Sequence, residues 1–228
     1  MSTTLSKSEI AEGYDEIAEV LAMSPKFYRL CASIIAPKIC AGSAVLDIGC
    51  GQGWQLAEIR KLCPDAKLHG MDISPKLVSL AREHVPGADF QTGDADNLAY
   101  ADAQFDVVVM TEVLEHLSDP VLALTQLKRV LKPGGWLLMT VPNRDWLRYD
   151  WYLNNRKAYQ PVDDKWYRVA EVRGYLGKAG FDIRRITGAE NCYFSGGLPR
   201  LLEKLALVLY PPLQQKMKRA LYLVQKPA

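Results

Sequence analysis

The apolar positions of this chain change their period along its length, and each change marks an element. Between residues 6 and 21 they fall at Ile10, Tyr14, Ile17, Val20 and Leu21, a spacing that predicts an amphipathic helix. Ser24 and Pro25 open a second helix, with serine as cap and proline in the first turn. At Val45, Leu46 and Ile48 the apolar residues run together, as in a buried strand, and Asp47 sits among them. Three glycines spaced two apart come next, Gly49, Gly51 and Gly53. Helical spacing then resumes through Trp54, Leu56, Ala57, Ile59 and Leu62.

The alternation continues downstream. Ala66 to Met71 forms a second strand, ending at Asp72-Ile73-Ser74, and a helix starts at Pro75. Asp89 to Thr92 forms a third, followed by Gly93-Asp94-Ala95-Asp96. Phe105 to Met110 is a nearly continuous β-branched run, fit for a central parallel strand. Asp119-Pro120 caps a helix that runs to Leu131, and the LKPGG segment from Leu131 to Gly135 stops it and turns. A fifth strand spans 136–143. A helix from Val169 to Ala179, stopped by Gly180, leads to a sixth strand, and Ala220 to Gln225 makes the last. Alternating strands and helices predict an α/β fold built on a mostly parallel sheet.

The glycine turn carries the first chemistry. Glycines allow a sharp turn with positive φ and let a ligand approach the main chain without a Cβ between them. Open α/β sheets bind their ligands at such strand ends. A dinucleotide fingerprint needs a further glycine at position 54, and Trp54 stands there instead. Asp72, just over twenty residues past the first glycine, suits a ribose, because one carboxylate can accept from two hydroxyls. The same aspartate also suits the N-terminal turn of the next helix.

Composition narrows the classes. With 228 residues, 49% apolar and 24% charged, the chain can bury the core of an ordinary single α/β domain. A formal charge of +2 gives no overall field for a polyanion, so no nucleic-acid partner is expected. The five cysteines are odd in number and form no CxxC pair, which predicts reduced thiols in a cytoplasmic protein, with Cys50 packed inside the glycine turn. The first residues lack the apolar core of a signal peptide, and no apolar run is long enough to span a bilayer. Residues 198–219 are amphipathic and carry Arg200, Lys204, Lys216, Lys218 and Arg219 against a single acid, Glu203. That stretch suits either a helix packed on the domain with its basic face in water, or peripheral contact with a membrane surface.

The VLDIGCGQG stretch resembles motif I of the class I S-adenosylmethionine-dependent methyltransferases. Later segments agree in order across about residues 40 to 187. The resemblance is to the methyltransferase type 11 and ubiquinone-biosynthesis-like enzymes of small molecules. It implies a doubly wound, Rossmann-like, seven-stranded sheet in the order 3-2-1-4-5-7-6, with the last strand antiparallel. It implies one methyltransferase domain over 1–228. Its parts are a helical lid at 1–41, a cofactor-binding core at 42–142, an acceptor-side insertion at 143–168 and the basic insertion at 191–219. S-adenosylmethionine is the implied cofactor. Its amino-acid tail falls to Asp47, Gly49, Cys50, Gly51 and Gly53, its ribose to Asp72 and Ile73, and its adenine to Asp94 and Ala95. Thr111 stands at the strand end that faces the reactive methyl, and Tyr14, in GYDEIA, resembles a tyrosine that reaches the cofactor.

For catalysis the resemblance offers Glu112 and His116, with His116 as general base. The EVLEH segment also resembles the ExxEH metal motif of small-RNA 2′-O-methyltransferases and of some ubiquinone-pathway O-methyltransferases. If Glu112, Glu115 and His116 shared one helical face, they could ligate Mg²⁺. The further downstream histidine of the RNA enzymes is missing, since His116 is the last histidine of the chain. His69 and His84 read as structural. The aromatic and basic residues of 143–167 fall where acceptor-binding insertions lie: Trp146, Tyr149, Trp151, Tyr152, Tyr159, Trp166 and Tyr167, with Arg144, Arg148, Arg156 and Lys157. The (D/N/S)PP(Y/F/W) signature of nucleobase amino-methylation is replaced by TEVL. The resulting expectation is methyl transfer by in-line displacement to a small, lipophilic acceptor. The alternatives are a metal-assisted O-methyltransferase and a non-catalytic S-adenosylmethionine-binding protein. A nicotinamide dehydrogenase is the weakest rival, because of Trp54.

Overall fold

A computed structural model describes residues 6–19, 24–146, 149–150, 165–189, 206 and 211–228. Seven strands form one sheet in the order β3-β2-β1-β4-β5-β7-β6. They are β1 (Ala44–Ile48), β2 (Lys67–Asp72), β3 (Asp89–Thr92), β4 (Phe105–Thr111), β5 (Leu131–Pro142), β6 (Asp182–Ala189) and β7 (Arg219–Gln225). The strands from β3 to β5 pair in parallel, and β7 runs antiparallel to both β5 and β6. The expected order and the reversed last strand are both present.

Six helices lie among the described residues: α1 (Lys7–Ile17), α2 (Pro25–Ile35), α3 (Trp54–Leu62), α4 (Pro75–His84), α5 (Pro120–Val130) and α6 (Val169–Lys178). Their starts reflect local chemistry. Ser6 caps α1 in a reciprocal box with Glu9, Ser24 accepts from Phe27 N–H before α2, and Asp119 accepts from Val121 and Leu122 before α5. The cap of α4 is Ser74, not Asp72, and this leaves Asp72 at the strand tip.

Strand periodicity divides the core into two layers. Leu46, Val108, Met110, Leu137, Met139 and Tyr222 point to the face covered by α5 and α6. Val45, Val107, Val109, Leu138 and Leu221 point to the face covered by α2, α3 and α4. Side chains alternate between the faces along each strand, so a strand buried on both sides must be apolar throughout. That is why β4 reads as an unbroken apolar run after Asp106.

Three expectations need correction. The first helix ends at Ile17, short of the expected stretch; Val20 and Leu21 lie outside the described residues. The LKPGG segment is not a simple turn before β5. Leu131 already pairs with Phe105, the register then shifts, and Trp136 pairs with Val107, so the segment bulges out within the strand. Gly134 takes a φ of +74° there. Finally, Glu112, Glu115 and His116 share no helical face. Glu112 has a left-handed φ of +56°, and only Leu114–His116 forms a single 3₁₀ turn. A residue in that conformation breaks the helical register on which the shared face depended.

Much of the expected basic insertion lies outside the described residues, as do Trp151, Tyr152, Tyr159, Arg148, Arg156 and Lys157. Pro211–Lys216 is described as a 3₁₀ turn. The buried Asn143 fastens this turn to the end of β5, donating to the Gln215 and Met217 carbonyls at 2.8 Å each. No helix among the described residues is long and apolar enough to cross a membrane.

Leu46 is fully buried in the central strand β1. Leu46→Ala should lower unfolding free energy by roughly 2–5 kcal/mol in urea titration, the range for large-to-small changes in a packed core. A loss below about 1 kcal/mol would show the sheet centre to be loosely packed.

Candidate active site

A cavity of about 1280 Å³, counting its open mouth, lies over the carboxyl ends of β1, β2 and β4. The chain order leaves β1 toward β2 on one side and toward β4 on the other, so this is the crevice where strand order reverses. Its floor is the glycine turn. The Gly49 and Cys50 N–H groups donate to the Met71 carbonyl at 2.8 and 3.0 Å, stitching the turn to β2. Gly51 N–H donates to Asp72 Oδ2 at 2.8 Å. A Cβ on Gly49 would overlap the Val113 side chain, whereas one on Gly51 would meet nothing within 4 Å. Gly51, at a φ of +52°, thus bares its main chain to the cavity.

The third glycine behaves differently from its sequence assignment. Gly53 does not line the cavity. At a φ of +83° it precedes α3, and a Cβ there would come within 3.2 Å of Val85 and 3.3 Å of Ala81. Its small size serves the close approach of α4. Trp54, the residue that breaks the dinucleotide pattern, packs with its ring centroid 4.3 Å from that of His84 and tilted by 32°, and His84 Nδ1 lies 2.9 Å from the Gln52 carbonyl of the turn.

Three aspartates stand at successive strand tips. Asp47 is 1% exposed, and neither of its carboxylate oxygens has a hydrogen-bond partner among the described residues. Burial, with Asp72 close by, pushes its carboxyl well above the usual range. Asp72 is also buried, and burial raises its carboxyl too, against the N–H groups of Ser74, Gly51 and Ile73 that hold it down. The Ser74 N–H reaches Asp72 Oδ1 at 3.0 Å. A carboxylate has about four acceptor positions, and with three N–H groups directed at it Asp72 retains about one for a further donor. Asp94 lies across the cavity beside Ala95, after β3. Gln55, 2% exposed, adds a further buried oxygen without a partner among the described residues.

These atoms test the cofactor that the sequence implies. Unpartnered acceptors on Asp47 and Gln55 line a cavity that also holds Asp72 and Asp94. Buried acceptors of this kind call for a donor-rich or cationic ligand. The residues fit S-adenosylmethionine, whose ammonium, ribose hydroxyls and adenine amine are all donors.

The acceptor end of the cavity is formed by Thr111, Glu112, Val113, His116 and Leu117. Glu112 is tightly held. Its Oε1 accepts from the Thr140 hydroxyl at 2.8 Å and its Oε2 from Arg219 Nε at 2.7 Å, with both charged side chains little exposed. Glu115 is buried and does not line the cavity. His116 does, and burial pushes its imidazole down to about 4. No group of three or more His, Cys, Asp or Glu side chains able to hold a metal forms among the described residues.

The helix α1 covers the cavity with Lys7, Ile10 and Tyr14, and the Tyr14 ring lies 6.0 Å edge-on from that of His116. Asp15 accepts from the Ser74 hydroxyl and from Lys76 N–H, the latter at 3.1 Å. Of the residues assigned from sequence, Tyr14, Asp47, Gly49, Cys50, Gly51, Asp72, Ile73, Asp94, Ala95, Thr111, Glu112 and His116 line one cavity. Lys7, Ile10, Tyr28, Gln52 and Gln55 also line it, and no local sequence signal marks them. Of the aromatics in the segment after β5, only Trp146, Tyr149, Trp166 and Tyr167 are among the described residues. Trp146 and Trp166 stack on each other at 6.3 Å, Trp166 and Tyr167 are buried, and none of Trp146, Tyr149, Trp166 or Tyr167 lines the cavity.

The sheet order, the glycine turn and the row of strand-tip carboxylates define a nucleoside-binding, Rossmann-like α/β protein. The family profile described as "Methyltransferase domain" matches residues 46–139. The ubiquinone biosynthesis O-methyltransferase of Thiobacillus denitrificans is 32% identical over 160 residues, 65% of this chain and 68% of that protein. The probable S-adenosylmethionine-dependent methyltransferase of Mycolicibacterium smegmatis is 31% identical over 162 residues, 71% of this chain and 60% of that one. Among solved structures, a chain of the complex between the Haloferax volcanii Trm112 methyltransferase activator and a methyltransferase superposes with a TM-score of 0.71. It is 20% identical and covers 96% of this chain and 98% of that one, a likeness of fold. The chain belongs to the class I S-adenosylmethionine-dependent methyltransferases, an enzyme family whose cofactor is S-adenosylmethionine. It spans 43%, 60% and 45% of the length of three curated relatives it matches.

An imidazole held at about 4 is neutral in the folded chain at neutral pH. Between the ordinary value of 6.5 and about 4, the unfolded chain takes up a proton there that the folded chain refuses. Acid in that window therefore costs stability. His116→Gln should make the urea midpoint fall less steeply than in the wild type as pH drops through this range. Parallel curves would show that His116 is not buried as described.

Proposed function

We propose that the chain transfers the methyl group of S-adenosylmethionine, by in-line displacement, to a small and lipophilic acceptor, and that 1–228 forms one unit for the purpose. The observation that carries the reading is the row of Asp47, Asp72 and Asp94 around a glycine turn, with the acceptors of Asp47 left for a cation. In this reading Asp47, with Gln55, receives the ammonium of the amino-acid tail. Asp72 accepts from the ribose, and Asp94 accepts from the adenine amine beside Ala95. The cofactor supplies an already activated methyl on a sulfonium. The protein's main work is then to hold an acceptor atom in line and keep water out, and orientation alone can contribute roughly 7–11 kcal/mol.

The acceptor side supports an apolar molecule. Ile10, Tyr14, Val113 and Leu117 surround a short polar edge made by Thr111, Glu112 and His116. His116, neutral at working pH, is placed to accept a proton from an acceptor hydroxyl. With its imidazole near 4 it is a weak base, which favours an acceptor that is itself acidic. Glu112, tied to Arg219 and Thr140, serves as a fixed hydrogen-bonding wall. The name of the Thiobacillus denitrificans relative puts oxygen among the candidate target atoms. The arrangement does not favour metal assistance, because Glu112 is engaged by Arg219 and Glu115 is not among the residues lining the cavity. Peripheral membrane contact through 198–219 remains part of the proposal, on the strength of its basic, apolar composition.

Isothermal titration with S-adenosylmethionine should show binding that Asp72→Ala weakens by about tenfold or more. Burial pushes the Asp47 carboxyl up and a cation beside it would bring it down, so binding should release protons, and affinity rise with pH, across the range where Asp47 titrates. Unchanged affinity in Asp72→Ala would remove the site assignment. An acceptor screen in a lipid extract with labelled methyl donor would name the product class, and no labelled product from any fraction would count against a lipophilic acceptor.

A further inference from the structure

We infer that Lys7 is a positioning residue that sets selectivity for the adenine base, by fixing Asp94 from the lid helix. The inference rests on the reading of Asp94 given under the proposed function. The Lys7 ammonium lies 3.1 Å from Asp94 Oδ1 and 2.8 Å from Asp96 Oδ2, bridging two carboxylates two residues apart. Asp94 Oδ1 also accepts from Asp96 N–H at 3.0 Å. One oxygen of Asp94 is thereby occupied twice, while Oδ2 has no hydrogen bond among the described residues. Lys7 and Asp94 line the same cavity.

Lys7 can do this because α1 has a fixed register. The Ser6–Glu9 capping box sets its start. Near its other end, Asp15 accepts from the Ser74 hydroxyl and the Lys76 N–H, and the Ala18 carbonyl accepts from Gln52 of the glycine turn. The helix is therefore anchored on both sides of the cavity, and Lys7 extends from a held backbone. Without its charge, Asp94 and Asp96 would face each other as like charges in one short turn, and Asp94 would rotate away. An adenine amine donates to a carboxylate oxygen held in place. A 6-oxo base presents an acceptor to that same oxygen and is repelled. Selectivity of this kind depends on the direction of the carboxylate more than on the strength of any one contact.

The test compares S-adenosylhomocysteine with its inosyl counterpart, in which a 6-oxo group replaces the amine, by isothermal titration. The wild type should prefer the adenosyl form by about tenfold or more. Lys7→Met should reduce that preference about three- to fivefold, the reach of a partly exposed ion pair, while affinity for the inosyl form stays within about twofold. Lys7→Arg should restore the preference, and adding Asp96→Asn to Lys7→Met should recover part of it, because the like charge is then gone. Lys7 is about half exposed, so Lys7→Met should keep its melting midpoint. Equal weakening of both ligands in Lys7→Met would show a lid contact without selectivity and would overturn the inference. A preference that persists undiminished would do the same while leaving the cofactor reading standing. Binding of neither ligand by the wild type would remove the cofactor reading, and this inference with it.

Discussion

Two buried carboxylates on neighbouring strands, Asp47 and Asp72, are the constraint to which the rest of the molecule answers. They stand at the tips of β1 and β2, away from water, and Asp72 makes ionisation of Asp47 less favourable. Asp72 is relieved by main-chain N–H groups from the glycine turn and from Ser74. Asp47 has no such relief among the described residues. A lone charge in that position is strongly disfavoured unless it is paired. The cavity therefore carries a deficit of donors and positive charge, and a nucleoside with an ammonium tail is the kind of ligand that would make it good.

Holding such a deficit needs a rigid support. The strands β1 and β4 run through the middle of the sheet with apolar side chains on both faces, and helices cover each side. That packing fixes where the strand tips lie, and so where the carboxylates lie. Helix α1, which lines the cavity, is attached to the same places. Asp15 of α1 bonds to Ser74, two residues beyond Asp72, and Lys7 bonds to Asp94. A ligand that drew on Asp72 and Asp94 would act directly on the anchors of the helix that covers it.

The strand tips and the glycine turn were legible in the sequence because their signals are local. A strand followed by spaced glycines, and an aspartate at a strand end, can be read within a dozen residues. What escaped is non-local. Lys7 meets Asp94 across 87 positions, and Arg219 meets Glu112 across 107. No periodicity or turn chemistry encodes such pairs. The shared face of Glu112, Glu115 and His116 failed for a different reason, because the spacing presupposed a helix where Glu112 takes a left-handed φ of +56°. Three equally spaced glycines look alike in sequence, and only the fold shows that a Cβ on Gly53 would meet Val85 and Ala81 of the α4 side. The aromatics after β5 looked like acceptor contacts from composition alone. Trp166 and Tyr167 are buried instead.

The acceptor end also says where the catalytic effort lies. A left-handed conformation at a non-glycine residue costs energy, and such strain persists only where surrounding contacts over-determine it. Around Glu112 those contacts are Thr140, whose carbonyl accepts from Glu112 N–H at 3.2 Å and whose hydroxyl donates to the carboxylate, and Arg219 on β7. A carboxylate fixed from two sides is well suited to orient a neighbour and poorly suited to take a proton and move. His116, held neutral by burial, can accept a proton but holds it weakly. Neither group is a strong base. Under the proposed methyl transfer, chemistry at this end would then rest chiefly on alignment, which is the contribution an activated methyl donor asks of its protein.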